Sequence, residues 1–445
     1  MLVHLQQLAL MDTLLTNWDG IRLRMEPLSP AAAARLADLG RLLDQARSAD
    51  DLARIVDDLL DFTIDTPAGA YVRELVGRSS LGGRTAGLRA IEPLVPAAAE
   101  EEGPDSPDLA LQAGRDLASA VAAEAGIQQV PVFFATNRKP GARPQDLFLG
   151  EPAGGISLGL ASVTIPVAKH RIGKVERPRW WTLFPDTNPE QRFITIAGVS
   201  PFDRTAFLTA IESAVVNADA PELLVFLHGY NVTFEEAARR TAQLAYDLSF
   251  SGIVVLFSWP SRGGLAQYPA DEERAQASAD RLADFLRTLA GGPWRSVHLV
   301  AHSMGNRVML LGLADNPRPA LPFGQIVFVA ADIYVEVFGP KWQKLLSAGV
   351  LPATSYISRR DWALRCSHLF HRADRIGFAQ DSPYLAAGVD TVDATAVDTS
   401  LGGHGYFSSE RSLLADLGLL LRKGLSPPDR GLRAGPGVRY WTFPR

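Results

Sequence analysis

From residue 222 onward the apolar and polar positions alternate between two patterns. Runs of continuous apolar character, "ELLVFLHG", "GIVVLFSW", "SVHLVAHS" and "QIVFVAAD", are each followed by a stretch of helical spacing, at 234–250, 271–290, 305–314 and 340–348, and "TSYISRRD" adds one more run. Strands that read as unbroken apolar runs are buried on both faces, and amphipathic helices supply the cover. The pattern therefore predicts a mostly parallel, doubly wound α/β sheet. Upstream, "VPVFFAT" (130–136), "GISLGLASVTIPV" (155–167) and "RFITIAGV" (192–199) carry β-branched residues bounded by Gly and Pro, which predicts further strands joined by loops. Residues 1–90 show helical spacing instead. Ser29 reads as an N-cap with Pro30 at the first helical position, and Leu36, Leu39, Leu42 and Leu43 then share a face. Leu52, Ile55, Val56, Leu59 and Leu60 repeat that spacing, so a small all-α region is expected. The stretch "EPLVPAAAEEEGPDSPD" (92–108) has the composition of an exposed linker, and a helix near 108–125 leads into the first strand. The expected division is a helical region at 1–90, a linker and connecting helix at 91–127, and an α/β domain at 128–445.

Composition narrows the classes without changing this picture. A chain of 445 residues that is 47% hydrophobic and 21% charged can bury a large core, which excludes disorder throughout. A formal charge of −5 provides no long-range attraction to phosphate, so no nucleic-acid partner is expected, and "RIGKVERPR" (171–179) reads as solvated loop charge. The single cysteine, Cys366, has no partner for an internal disulfide and reads as a buried small side chain. The chain has no apolar run long enough to span a membrane and no leader pattern at its start, so the expectation is a cytoplasmic protein.

The chemistry concentrates in "VHLVAHSMGNRVML", residues 297–310. A serine on a sharp turn between strand and helix is held with its hydroxyl above the sheet, provided that small residues stand two positions to either side. Here Ser303 is flanked by Ala301 and Gly305, with Ala301 replacing the usual glycine. Ser303 is the expected nucleophile. An oxyanion needs two N–H donors, one from the residue after the nucleophile and one from a loop after an earlier strand. Met304 supplies the first, and Tyr230 in "VFLHGYN" (225–231) is the candidate for the second. Of the eight histidines, His4, His170, His228, His298 and His302 are badly placed to act as base, while His368 and His371 fall in an apparent helix. His404, in the glycine-flanked loop "LGGHGYF" (401–407), is the candidate base. Asp332 and Asp361 both stand at strand tips between serine and histidine. Asp361 is preferred because its strand is nearer the histidine loop, leaving Asp332 to cap a helix or brace the oxyanion loop. Trp259, in "SWPSRGGLAQY" (258–268), reads as core rather than as a substrate platform.

With these residues in place, the chain resembles the alpha/beta-hydrolase superfamily, and more narrowly a bacterial branch catalogued as a domain of unknown function. The resemblance runs through "FFATNR", "LVFLHGYNVTFEEAARRTAQLAYDL", "VLFSWPS", "VHLVAHSMGNRVM", "VAADI", "YISRRDWALRCS" and "GHGYF". It implies an alpha/beta-hydrolase fold from about residue 130 and a triad of Ser303, Asp361 and His404. The expected activity is that of a serine hydrolase, a carboxylesterase that works on a small-molecule ester without cofactor or metal. An amidase, thioesterase or acyltransferase would use the same groups. A different class is an interaction or effector protein whose helical N-terminal region recruits a protein partner.

Overall fold

A computed structural model describes residues 126–142, 147–176, 189–262, 268–317, 319–350, 352–361, 374–378, 383–397 and 410–435, with Leu364, Gly437 and 440–444. The expected helical region at 1–90 and the linker lie outside the described residues.

Eleven described strands form one sheet: β1 (Ile127–Pro140), β2 (Phe148–Pro166), β3 (Thr195–Phe202), β4 (Glu222–Leu227), β5 (Ile253–Ser258), β6 (Ser296–His302), β7 (Phe323–Val329), β8 (Ala353–Ile357), β9 (Val389–Asp393), β10 (Arg433–Ala434) and β11 (Trp441–Thr442). Their order across the sheet is β10-β11-β9-β8-β7-β6-β4-β5-β1-β2-β3. From β1 through β5, β4, β6, β7, β8 and β9 to β11 every pairing is parallel, and β2, β3 and β10 add antiparallel pairs at the two edges. The expected mostly parallel sheet is therefore present.

The helices are α1 (Arg204–Val216), α2 (Phe234–Asp247), α3 (Tyr268–Thr288), α4 (Gly305–Ala314), α5 (Val335–Ser347) and α6 (Arg411–Lys423). Successive strand residues point to opposite faces, and the core divides accordingly. Leu223, Val225 and Leu227 of β4 pack with Phe207 and Ile211 of α1, Phe285 of α3, Val308 of α4 and Trp342 of α5. Leu224 and Phe226 pack on the other face with Phe234 and Ala238 of α2 and Leu417 of α6. The sheet is doubly wound because its central strands, β4 to β8, bury both of their faces.

Topology locates the crevice. After β4 the chain steps to β5 on one side and then returns to place β6 on the other side of β4. At such a reversal the loops leave the sheet in opposite directions, and the gap outside the carboxyl ends of the two strands is the usual ligand site. Ser303 follows β6 and His228 follows β4, so both border that gap.

Two helices depart from the sequence reading. No helix is predicted at α1, although Asp203 accepts from Ala206 N–H at 2.8 Å as its N-cap and Phe207, Ile211 and Val215 bury one face. The helix predicted at 340–348 begins earlier, at Val335. Trp259 is fully buried, as expected of a core residue. Among the described residues no helix is long and apolar enough to cross a membrane.

Candidate active site

The site is built where two backbones approach closely. Ser303 has φ of 51°, in the left-handed region that disfavours a side chain, and it is fully buried. Several bonds hold this conformation. Ser303 N–H donates to Val329 O at 2.9 Å, and Asn306 Nδ2 donates to Ser303 O at 2.9 Å and to Val329 O at 3.0 Å. Asn231 and Ala330, at φ of 55° and 47°, are strained at the ends of the flanking strands β4 and β7. Of the four described non-glycine residues with positive φ, these three lie along the carboxyl edge of the central strands and the fourth, Ser249, follows α2 on the amino side.

Glycine is required at two of these positions. A Cβ on Gly305 would lie 2.4 Å from His228 O, so α4 can start against the end of β4 only without a side chain there. A Cβ on Gly229 would lie 2.9 Å from His302 Nδ1 and 3.0 Å from Ser303 Cβ. The turn that carries Tyr230 is therefore in direct contact with the serine elbow. Its far end is pinned by a capping box on α2, where Thr233 Oγ1 accepts from Glu236 N–H at 3.2 Å and Glu236 Oε2 accepts from Thr233 N–H at 3.1 Å. Met304 is the N-cap of α4, and among the described residues no main-chain carbonyl accepts its N–H.

Behind the turn lies a buried polar cluster to which the sequence reading assigned no role, although Arg138, His228 and Ser258 all fall in stretches that carry the resemblance. Arg138 of β1 donates from Nε to Ser258 Oγ at 2.8 Å, from Nη1 to Ser261 O at 3.0 Å and Leu149 O at 3.4 Å, and from Nη2 to Val232 O at 2.6 Å. Nη2 also lies 3.3 Å from His228 Nε2. Burial lowers the guanidinium to about 10, and it still carries its charge at neutral pH. His228 stacks on Trp259, whose Nε1 donates to His228 O at 2.8 Å. Burial, reinforced by the Arg138 charge, pushes His228 down to about 3, so it is a neutral imidazole and no general base.

The two candidate carboxylates differ in their partners. Asp332 is buried, and its Oδ1 lies 3.3 Å from Nε of the fully buried Arg375, whose guanidinium stacks 3.6 Å from the Tyr334 ring. Its main-chain N–H donates to Ser303 O at 3.3 Å. Asp361, four residues past the end of β8, is fully buried, and its Oδ1 accepts from Leu364 N–H at 2.9 Å. His404 lies outside the described residues, as do His4, His368, His371 and Cys366. The structure thus brings Ser303, Met304 and the Tyr230 turn together at the switch point and places Asp361 two strands away along the same edge. Among the described residues no group of three or more His, Cys, Asp or Glu is arranged to hold a metal.

A doubly wound sheet with a left-handed serine at the carboxyl end of a central strand defines an alpha/beta hydrolase. Residues 203–422 match the family model described as "Alpha/beta hydrolase of unknown function (DUF900)", and over those residues the protein is a member of that family. Comparison with curated proteins gives no match. The matched region takes in Tyr230, Ser303, Asp361 and His404, while Arg138 lies upstream of it.

Proposed function

We propose that the protein is a serine hydrolase that cleaves carboxylic esters through an acyl-enzyme. The observation that carries this reading is Ser303 at φ of 51°, held on the β6–α4 turn in contact with the Gly229 turn. Ser303 Oγ attacks the acyl carbon while His404 takes its proton, and Asp361 holds the imidazole in the required tautomer. Tyr230 and Met304 N–H groups receive the oxyanion, His404 returns the proton to the leaving alcohol, and water then releases the acid. The engagement of Asp332 with Arg375 supports Asp361 as the acid, because a carboxylate committed to a buried ion pair is a poor partner for a second cation.

The test is labelling of the full chain by a fluorophosphonate, with turnover of p-nitrophenyl esters of increasing acyl length. Ser303→Ala is expected to abolish labelling and to lower kcat by ~10⁴ to 10⁶-fold without loss of fold. Unchanged turnover in that variant would refute the assignment. Turnover of anilides or thioesters in place of esters would keep the triad and change the substrate class. A wild-type chain that is not labelled would favour the interaction-protein reading.

A further inference from the structure

All five guanidinium N–H groups of Arg138 are spent on neutral acceptors, and among the described residues no carboxylate lies within ion-pair distance of it. A charged guanidinium can only donate. His228 Nε2, 3.3 Å from Nη2, is therefore the acceptor of that contact, and it lies 3.1 Å from Ser258 Oγ as well. The one proton of the neutral ring must then sit on Nδ1. This nitrogen lies 2.7 Å from Gly229 O, a group that can only accept, so the two ends of the ring require the same tautomer. A peptide unit is planar and trans, and its N–H points opposite to its carbonyl. Fixing Gly229 O on His228 therefore turns the Tyr230 N–H away from the Arg138 cluster.

We propose that His228 is a positioning residue for the oxyanion turn: Arg138 and Ser258 hold it in the Nδ1-protonated tautomer, and Nδ1–H anchors Gly229 O so that Tyr230 N–H is presented to the developing oxyanion. The proposal rests on the serine-hydrolase reading of the same site. It also assigns a function to Arg138, which reaches the turn a second time through Val232 O at 2.6 Å and so fixes both ends of the segment.

The experiment compares His228→Asn, whose amide places a donor near the Nδ1 position, with His228→Leu, which has none, using p-nitrophenyl butyrate and the full chain. The expected outcome is a loss of about 10² to 10³ in kcat for His228→Leu, with KM changed less than about threefold, and recovery to within about tenfold of wild type in His228→Asn. A wild-type kcat in the Leu variant, or equal losses in both, overturns the positioning role while Ser303 labelling by fluorophosphonate leaves the hydrolase reading standing. Nitrogen-15 spectra of the wild-type imidazoles give a second reading that needs no variant. His228 is expected to carry its proton on Nδ1 from about pH 5 to about pH 9. A proton on Nε2, or a titration near the ordinary imidazole value, overturns the proposal even where the variants fail to fold. Absence of both labelling and turnover in the wild type removes the hydrolase reading and the oxyanion role with it.

Discussion

Two histidines, His228 buried and His170 partly buried, sit at opposite edges of the sheet and are held in opposite charge states. His228 lies at the carboxyl edge beneath the serine elbow. His170 lies at the amino edge, in the loop after β2, with Nδ1 2.9 Å from Glu176 Oε2 and Nε2 2.7 Å from Asp247 Oδ1 at the end of α2. Burial works against the charged form of both rings. At His170 the hydrogen bonds to Asp247 and Glu176 outweigh burial and raise it to about 9, whereas at His228 the Arg138 charge adds to burial and lowers it to about 3. A facing carboxylate is not enough by itself, since burial keeps His298 lowered beside Glu222; at His170 two hydrogen-bonded carboxylates prevail over a shallower burial. The amino edge uses charge to fasten a loop, and the carboxyl edge uses a neutral ring to aim a peptide. Glu176 falls within the stretch read from sequence as solvated loop charge, and this contact corrects that reading.

The sharpest way to break the distinction is at the two carboxyl-edge aspartates, one assigned to chemistry and one to an ion pair. Asp361→Asn preserves an acceptor for Leu364 N–H, so it should leave the melting temperature nearly unchanged while kcat falls by about 10⁴-fold. Asp332→Asn leaves Arg375 charged and buried and should cost about 3 to 5 kcal/mol of stability, with kcat near wild type. Exchange of these two outcomes would move the triad acid one strand earlier.

Gly229→Ala tests the contact between turn and elbow. A methyl group 3.0 Å from Ser303 Cβ must displace one of them, and a displacement on the order of 1 Å costs about 10² in rate. Ester kinetics with an intact fold should show this loss in kcat. A variant as fast as wild type would mean that the two segments do not act together.

The smallest effect sharpens the comparison through pH. His170, raised in the folded state, stabilises fully below its unfolded value near 6.5, and this contribution is lost as pH rises toward 9. His228, lowered in the folded state, contributes above 6.5 and loses this as pH falls toward 3, with His298, also lowered by burial, acting in the same direction. Stability should therefore peak near pH 6.5 and fall on either side by up to about 1.4 kcal/mol per pH unit for each group. In denaturant titrations His170→Gln should flatten the alkaline limb alone and His228→Asn the acid limb alone. Limbs that do not respond to their own variant would show that other groups set the pH dependence.

The sequence was most legible where burial is two-sided. Strands β4 to β7 stand out as unbroken apolar runs, and α4 is read to the residue because "HSMG" breaks the strand and Gly305 opens the helix. The strand β9, "VDTVD", was missed because its two acids mimic a loop, and its pairing with β8 is imposed by the tertiary fold. The hairpin of β10 and β11 has strands of two residues, too short for any period. Within the site, Ser303 and the Gly229 turn were legible because left-handed backbone and close approach demand particular residue types. Arg138 was not, since its acceptors at 149, 232 and 261 are mostly main-chain carbonyls that leave no mark on side-chain identity.

The strand order also governs when the site can exist during synthesis. Strand β4 emerges with β5 available for one of its sides, but the side that pairs with β6 stays unsatisfied until residue 302 has been made. Until then the nascent chain carries an apolar strand with an open edge, the form most prone to join another chain. A product that stops short of β6 is thus an aggregation hazard as well as an inactive protein. In one ordered event, the arrival of Val297–Ala301 beside β4 closes that edge and brings the elbow to its turn.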